Sequence, residues 1–162
     1  MILRYEPLAK HHIPTILEIE REANPAPWSE KSFQNELVNP QSVFLVAIGD
    51  GKIVGYGGYW KCIDEVHVTT VAIKTDLRRQ GLGRKIMVEL LLRAKDEGMT
   101  CSTLEVRAGN EAAVKLYEDL NYTVCARRKG YYPDNKEDAL VMWLHGLESW
   151  TPPRPSGEGA GG

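Results

Sequence analysis

Only three cysteines occur among the 162 residues, at positions 62, 101 and 125. They are odd in number, far apart and form no CxxC pair, which excludes a disulfide framework and a zinc knuckle and leaves them as small buried hydrophobes. No uninterrupted apolar run approaches the roughly eighteen residues of a membrane span. Arg4 and Glu6 also break up any signal-peptide core. The expectation is a cytoplasmic protein with no membrane partner. Excess charge of one sign is missing too: 20 Lys and Arg stand against 22 Asp and Glu, a formal net charge of −2, which argues against direct nucleic-acid binding.

What is present suits one folded unit. The length accommodates a single domain with one core, taken as residues 1–147. Beyond it, Thr151 to Gly162 is Pro and Gly with little else and cannot bury enough apolar area to offset its chain entropy, so residues 148–162 are expected to be disordered. Lys10 to Ala23 carries Ile13, Ile16 and Leu17 at helical spacing, and Ser29 can cap a second helix that buries Phe33 and Leu37. Val43 to Ile48 and Ile53 to Cys62 read as strands joined by the hairpin turn Asp50-Gly51, followed by a β-branched strand from His67 to Ile73. Leu82, Ile86, Met87, Leu90 and Leu91 mark a helix ending near Gly98. A strand from Thr103 to Arg107 precedes a helix with Ala113, Leu116, Tyr117 and Leu120 on its apolar stripe. Two further strands, Thr123 to Lys129 and Ala139 to His145, close an α/β sandwich with a mixed, mostly antiparallel sheet and helices on both faces.

Between a strand and an amphipathic helix lies Arg78-Arg79-Gln80-Gly81-Leu82-Gly83-Arg84. Glycines there let the backbone approach a ligand closely, and first-turn amides with the positive end of the helix dipole suit a pyrophosphate. The dinucleotide fingerprint fails because Ile86 holds its third glycine position, and the P-loop fails because no Gly-Lys-Ser/Thr follows. A tight turn beside a solvated cationic face fits the residues equally well.

Arg78-x-x-Gly81-x-Gly83, preceded by Thr70-Val71-Ala72-Ile73, resembles the coenzyme A-binding motif of the Gcn5-related N-acetyltransferase superfamily. Leu104-Glu105-Val106-Arg107, Asn110 and Ala113 to Tyr117 resemble the segment in which that superfamily places a splayed strand, a coenzyme-contacting Asn and a proton donor. Pro27-Trp28-Ser29-Glu30-Lys31-Ser32-Phe33, Arg127-Arg128, Tyr131-Tyr132-Pro133 and Glu137-Asp138-Ala139 resemble the RimI-type ribosomal-protein alanine N-acetyltransferases. The likeness spans roughly residues 2–145. One departure is Asn121-Tyr122, where the family usually has Gly before an aromatic; Asn tolerates the left-handed conformation that ends a helix.

The resemblance implies acetyl-coenzyme A as co-substrate, no metal, a monomer, and a protein N-terminus, the terminal alanine of a ribosomal protein, as acceptor. It assigns the coenzyme to Val71, Ala72, Ile73, Arg78, Arg79, Gln80, Gly81, Leu82, Gly83, Arg84 and Asn110, proton removal to Glu105 and proton donation to Tyr117. Each residue also has a plainer reading. Glu105 can pair with Arg107, Tyr117 can be core, Asn110 can be a helix cap, and Val71 and Ile73 can sit in an ordinary paired strand. Trp28, Tyr131 and Tyr132 can wall a slot for an extended peptide end, or pack their loops onto the core. His67 reads as a polar-face residue, and adjacent His11 and His12 point differently along a helix. An α-amine titrates near ~8 against ~10.4 for lysine, so roughly a hundredfold more of it is neutral at pH 7 and a modest base suffices. A small-molecule amine acceptor, or a coenzyme sensor without turnover, are the competing functions.

Overall fold

The computed structural model describes residues 1–154. Its strands are β1 (Leu3–Pro7), β2 (Ser42–Gly49), β3 (Lys52–Cys62), β4 (Glu65–Ile73), β5 (Cys101–Arg107), β6 (Thr123–Arg128) and β7 (Ala139–His145). Its helices are α1 (Ile13–Ala23), α2 (Glu30–Val38), α3 (Leu82–Asp96) and α4 (Glu111–Asp119). The seven strands form one sheet in the order β1-β2-β3-β4-β5-β7-β6. Every neighbouring pair is antiparallel except β4 and β5, which run parallel.

The continuous apolar run in β2 is explained by burial on both faces. Phe44, Val46 and Ile48 join Ile13, Ile16, Leu17 and Phe33 beneath α1 and α2. Leu45 and Ala47 point the other way, toward Ile86, Met87 and Leu90 of α3; this is the period of two acting inside one strand. Helix α3 sits close to β3 because the strand offers glycines: a Cβ on Gly57 would lie 2.8 Å from Ile86 Cγ2 and 3.1 Å from Leu90 Cδ1. Asp50 and Gly51, both at positive φ, turn β2 into β3.

Four expectations change. Strand β1 was not anticipated; it pairs with β2 at the sheet edge, where Arg4 and Glu6 alternate with Leu3 and Tyr5 in a strand too short to announce itself. Cys101 is buried, but Cys62 and Cys125 are exposed, the latter on β6, whose residues are all exposed. Leu37 is at the surface rather than beneath α2. Order does not fade at Leu147. A 3-10 turn spans Leu147–Ser149, and Trp150 is 5% exposed with its indole Nε1 donating to the Leu120 carbonyl at 3.0 Å. Lys95 Nζ donates to the Trp150 carbonyl at 2.7 Å, and Arg84 donates to the Pro153 carbonyl. One large aromatic outweighs the poor composition around it. The rest of the expected tail, residues 155–162, lies outside the described residues.

Candidate active site where two strands part

Strands β4 and β5 pair only through Glu65–Cys101, Val66–Ser102 and His67–Thr103. Beyond that point β4 continues with β3 as far as Ile73, while β5 continues with β7 as far as Arg107. The edge of β4 from Val68 to Ile73, which includes Val71, Ala72 and Ile73, therefore has no strand partner on its β5 side. Backbone amides and carbonyls along such an edge need other partners.

The wide end of this split meets the start of α3. Gly81 is the N-cap at φ 75°, no side chain caps the helix, and a Cβ built on Gly81 would meet nothing within 4 Å. Open backbone donors at a helix N-terminus form an anion cradle. A Cβ on Gly83 would lie 3.7 Å from Leu116 Cδ2 of α4 and 3.9 Å from Ile73 Cγ1, so turn, strand and α4 converge. Arg78, Arg79 and Gln80 are exposed around the cradle, with Arg79 at positive φ. Leu82 is 2% exposed, so only its backbone can serve a ligand. Arg84 does not join its neighbours: its guanidinium is engaged by Pro153, and its Nε is buried without a partner among the described residues. Asn110 caps α4, its Oδ1 accepting from Ala113 N–H at 3.2 Å.

Glu105 does not pair with Arg107. Its Oε2 lies 3.6 Å from Arg128 Nε, and Arg128 in turn stands 5.4 Å from the centre of the Tyr131 ring. The negative charge of Glu105 is the main reason the Tyr131 phenol is pushed above its ordinary pKa. Arg107 instead lies 4.0 Å over the Tyr132 ring and binds Asp134 at 3.1 Å and Glu137 at 3.4 Å. These contacts pin the β6–β7 loop to the end of β5. Glu137 also accepts from Gly109 N–H at 2.8 Å, which leads the causes holding its carboxyl below the usual range. Asp138 accepts from Gly130 N–H at 2.9 Å and from Arg127 at 2.6 Å, and the Arg127 bond is the larger cause of its lowered pKa. Tyr131 and Tyr132 meet edge to face at 5.2 Å.

Tyr117 on α4 packs 5.9 Å from Tyr122. Burial, with a smaller effect of the Tyr132 phenol, pushes its pKa up to about 12. Trp28 follows the plainer reading in part, since its ring packs on Phe33 at 5.2 Å and Phe44 at 6.5 Å. The structure thus brings Glu105, Tyr131 and Tyr132 together, with Tyr117 electrostatically linked to Tyr132, while Trp28 stands on the separate α1–α2 loop. His67 is exposed beside Glu65. Glu6, His11 and His12 place ligand-type atoms within 4.8 Å of one another. Both nitrogens of His12 have partners, however: Nδ1 accepts from Ala9 N–H and Nε2 donates to Glu6, each at 2.9 Å.

The model of the acetyltransferase (GNAT) family matches residues 13–122, most of the chain. The chain belongs to the GNAT acetyltransferase family. A Bacillus subtilis relative named as a putative [ribosomal protein bS18]-alanine N-acetyltransferase is 38% identical over 133 residues, covering 82% of this chain and 88% of that protein. The crystal structure of the Escherichia coli ribosomal-protein-S18-alanine N-acetyltransferase superposes with a TM-score of 0.83 at 31% identity, covering 90% of this chain and 94% of that one. Arabidopsis thaliana NAA60 in complex with acetyl-CoA shares the fold, with a TM-score of 0.78 at 17% identity, covering 89% and 98%. In this acetyltransferase the motif residues to which sequence reasoning gave no individual role are anchors. Glu137 and Asp138 form an acidic doublet beside an aromatic loop, a visible pattern; the partners of Arg107 and Arg128 lie too far along the chain for spacing to reveal.

Proposed function

We propose that this chain transfers the acetyl group of acetyl-coenzyme A to the α-amino group of a protein N-terminus, with the terminal alanine of a ribosomal protein as acceptor. The observation that carries the reading is the split between β4 and β5, which has an uncapped helix N-terminus at its wide end and a carboxylate beside two tyrosines on the β5 side. Such a cleft suits a long, narrow thioester whose diphosphate rests on α3 and whose arm lies along an unpaired strand edge.

The residues divide the work as follows. Backbone donors at Gly81, Leu82 and Gly83, with the charge of Arg78 and Arg79, hold the diphosphate. The free edge at Val71, Ala72 and Ile73 holds the arm and offers an amide to the thioester oxygen as charge develops there. Glu105 accepts the proton of the incoming ammonium, directly or through a water. Tyr117 keeps its proton at neutral pH, since its pKa is about 12, and supplies it to the departing thiolate. Tyr131 and Tyr132, fixed by Arg128 and Arg107, wall the acceptor's approach from one side, and the loop that ends at Trp28 walls it from another. The relatives named as alanine N-acetyltransferases, of which this chain covers about nine tenths, support the acceptor.

The test combines the purified protein with acetyl-coenzyme A and peptides of differing first residue, reading thiol release. Peptides beginning with alanine should turn over fastest. Absence of turnover across all peptide N-termini, with turnover of a polyamine instead, would transfer the acceptor role to small amines.

A further inference from the structure

Helix α1 carries a carboxylate where its periodicity calls for an apolar residue. Glu20 falls three and four positions after Leu17 and Ile16, on the buried stripe, and is 1% exposed. No Lys or Arg among the described residues forms a salt bridge with it. Three donors hold it instead. Its Oε1 accepts from the Tyr56 hydroxyl, and its Oε2 accepts from Asn24 Nδ2 and from Trp28 N–H, both at 2.9 Å. The Tyr56 phenol, pushed far up by burial and then by this bond, stays protonated and donating.

A polar carboxyl group in the core is costly even when hydrogen-bonded, and a leucine at this position would serve packing at least as well. What a leucine lacks is the geometry. One oxygen grips both ends of the exposed loop Pro25-Ala26-Pro27, while the other reaches β3 at Tyr56, the residue that pairs with Ala72 of β4. Asn24 Oδ1 adds a bond to Ala26 N–H at 3.1 Å within the loop. The α1–α2 loop is thereby tied, through one side chain, to β3, the neighbour of the strand that borders the split.

We infer that Glu20 is a positioning residue for the acceptor: its buried carboxylate fixes the Asn24–Trp28 loop against β3, and thereby sets affinity for the incoming peptide without touching the reacting atoms. The inference rests on the reading that this loop walls the acceptor site. Removing the carboxylate loosens the loop, so the peptide must order it on binding, and the effect falls on KM rather than on the chemical step.

The experiment is steady-state kinetics with acetyl-coenzyme A and an alanine-first peptide on Glu20→Ala, Glu20→Gln and Trp28→Ala, with thermal melting of each. Glu20→Ala should raise the peptide KM about tenfold or more while kcat and the acetyl-coenzyme A KM move by less than about threefold. Glu20→Gln should recover most of the loss, because its amide oxygen can accept from Asn24 and Trp28 while its NH2 donates to the Tyr56 oxygen. An unchanged peptide KM in folded Glu20→Ala, or equal shifts in both KM values, overturns the inference. If Trp28→Ala raises the peptide KM in that case, only the role of Glu20 is lost; if it too is silent, the loop is not part of the acceptor site. Should Glu20→Ala fail to fold, Asn24→Ala removes one donor from the loop, and a peptide KM equal to the parent's then refutes the claim.

Discussion

In the proposed reaction Glu105 and Tyr117 are paired by chemistry rather than by contact. One sits on β5 next to Arg128, the other on α4 among aromatic rings. A base and an acid held on different elements can serve an attacking amine and a departing thiolate without exchanging protons with each other. Glu105→Gln and Tyr117→Phe should each lower kcat about a hundredfold, within the usual range for general acid–base groups, while the affinity for coenzyme A stays near the parent value in calorimetry. An equal loss of coenzyme affinity would assign both residues to binding. The tyrosines also carry a pH signature. Burial is the leading cause that raises Tyr5 and Tyr117 to about 12, and it lifts Tyr56, Tyr59 and Tyr122 further. The unfolded phenols ionise near ~10, so the unfolded state gains charge first. Their stabilisation is complete below that value and is lost as pH climbs through 12. The melting temperature should therefore fall steeply from pH 10 upward, together with the appearance of phenolate absorbance; a flat profile across that range would contradict the burial of these rings.

Helix α3 explains why some elements can be read from residues and others cannot. Its stripe Leu82, Ile86, Met87, Leu90 and Leu91 is a clean helical period, and all five side chains are buried as that period requires. The turn at Asn121 was equally legible, because a polar residue replacing a helix-ending glycine must adopt a positive φ, and it does, at 80°. The closing segment was hidden. Proline and glycine dominate its composition, and composition averages away the one residue that matters, Trp150. Its indole fills the space between α3 and the end of α4, where the Leu120 carbonyl accepts its hydrogen bond. From there the chain passes Lys95 near one end of α3 and Arg84 near the other. Trp150→Ala should cost about 3 to 5 kcal/mol, as for other buried aromatics, measured by denaturant unfolding. A loss below about 1 kcal/mol would mean that the segment rests on the helix without supporting it. The loop network was hidden for another reason. Arg107 and Asp134 meet across 27 positions, and nothing local in either residue names the other. The motif resemblance located Tyr131 and Tyr132 as well as Arg107 and Arg128, but it did not show that these guanidinium groups stand against those rings.

The sheet as a whole behaves as two halves joined by three residue pairs between β4 and β5. Strands β1 to β4 with α1, α2 and α3 carry the Gly81 turn and the Trp28 loop; β5 to β7 with α4 carry Glu105, Tyr117 and the tyrosine loop. On the proposed reading neither half holds a complete site, and both substrates lie between them at once for an amine to reach a thioester. The thiols agree with direct transfer. Cys101 is buried, with its thiol pushed up by that burial, while Cys62 ends β3 at its pairing with Glu65, the closed end of the split, and Cys125 lies on the outer strand. None is placed to carry an acyl group between two separate binding events. Initial rates measured over a grid of both substrates should give intersecting double-reciprocal lines, and replacing all three cysteines by serine should leave that pattern unchanged. Parallel lines, together with a protein mass increased by one acetyl group after incubation with acetyl-coenzyme A alone, would show a covalent relay and remove the need for the two halves to act together.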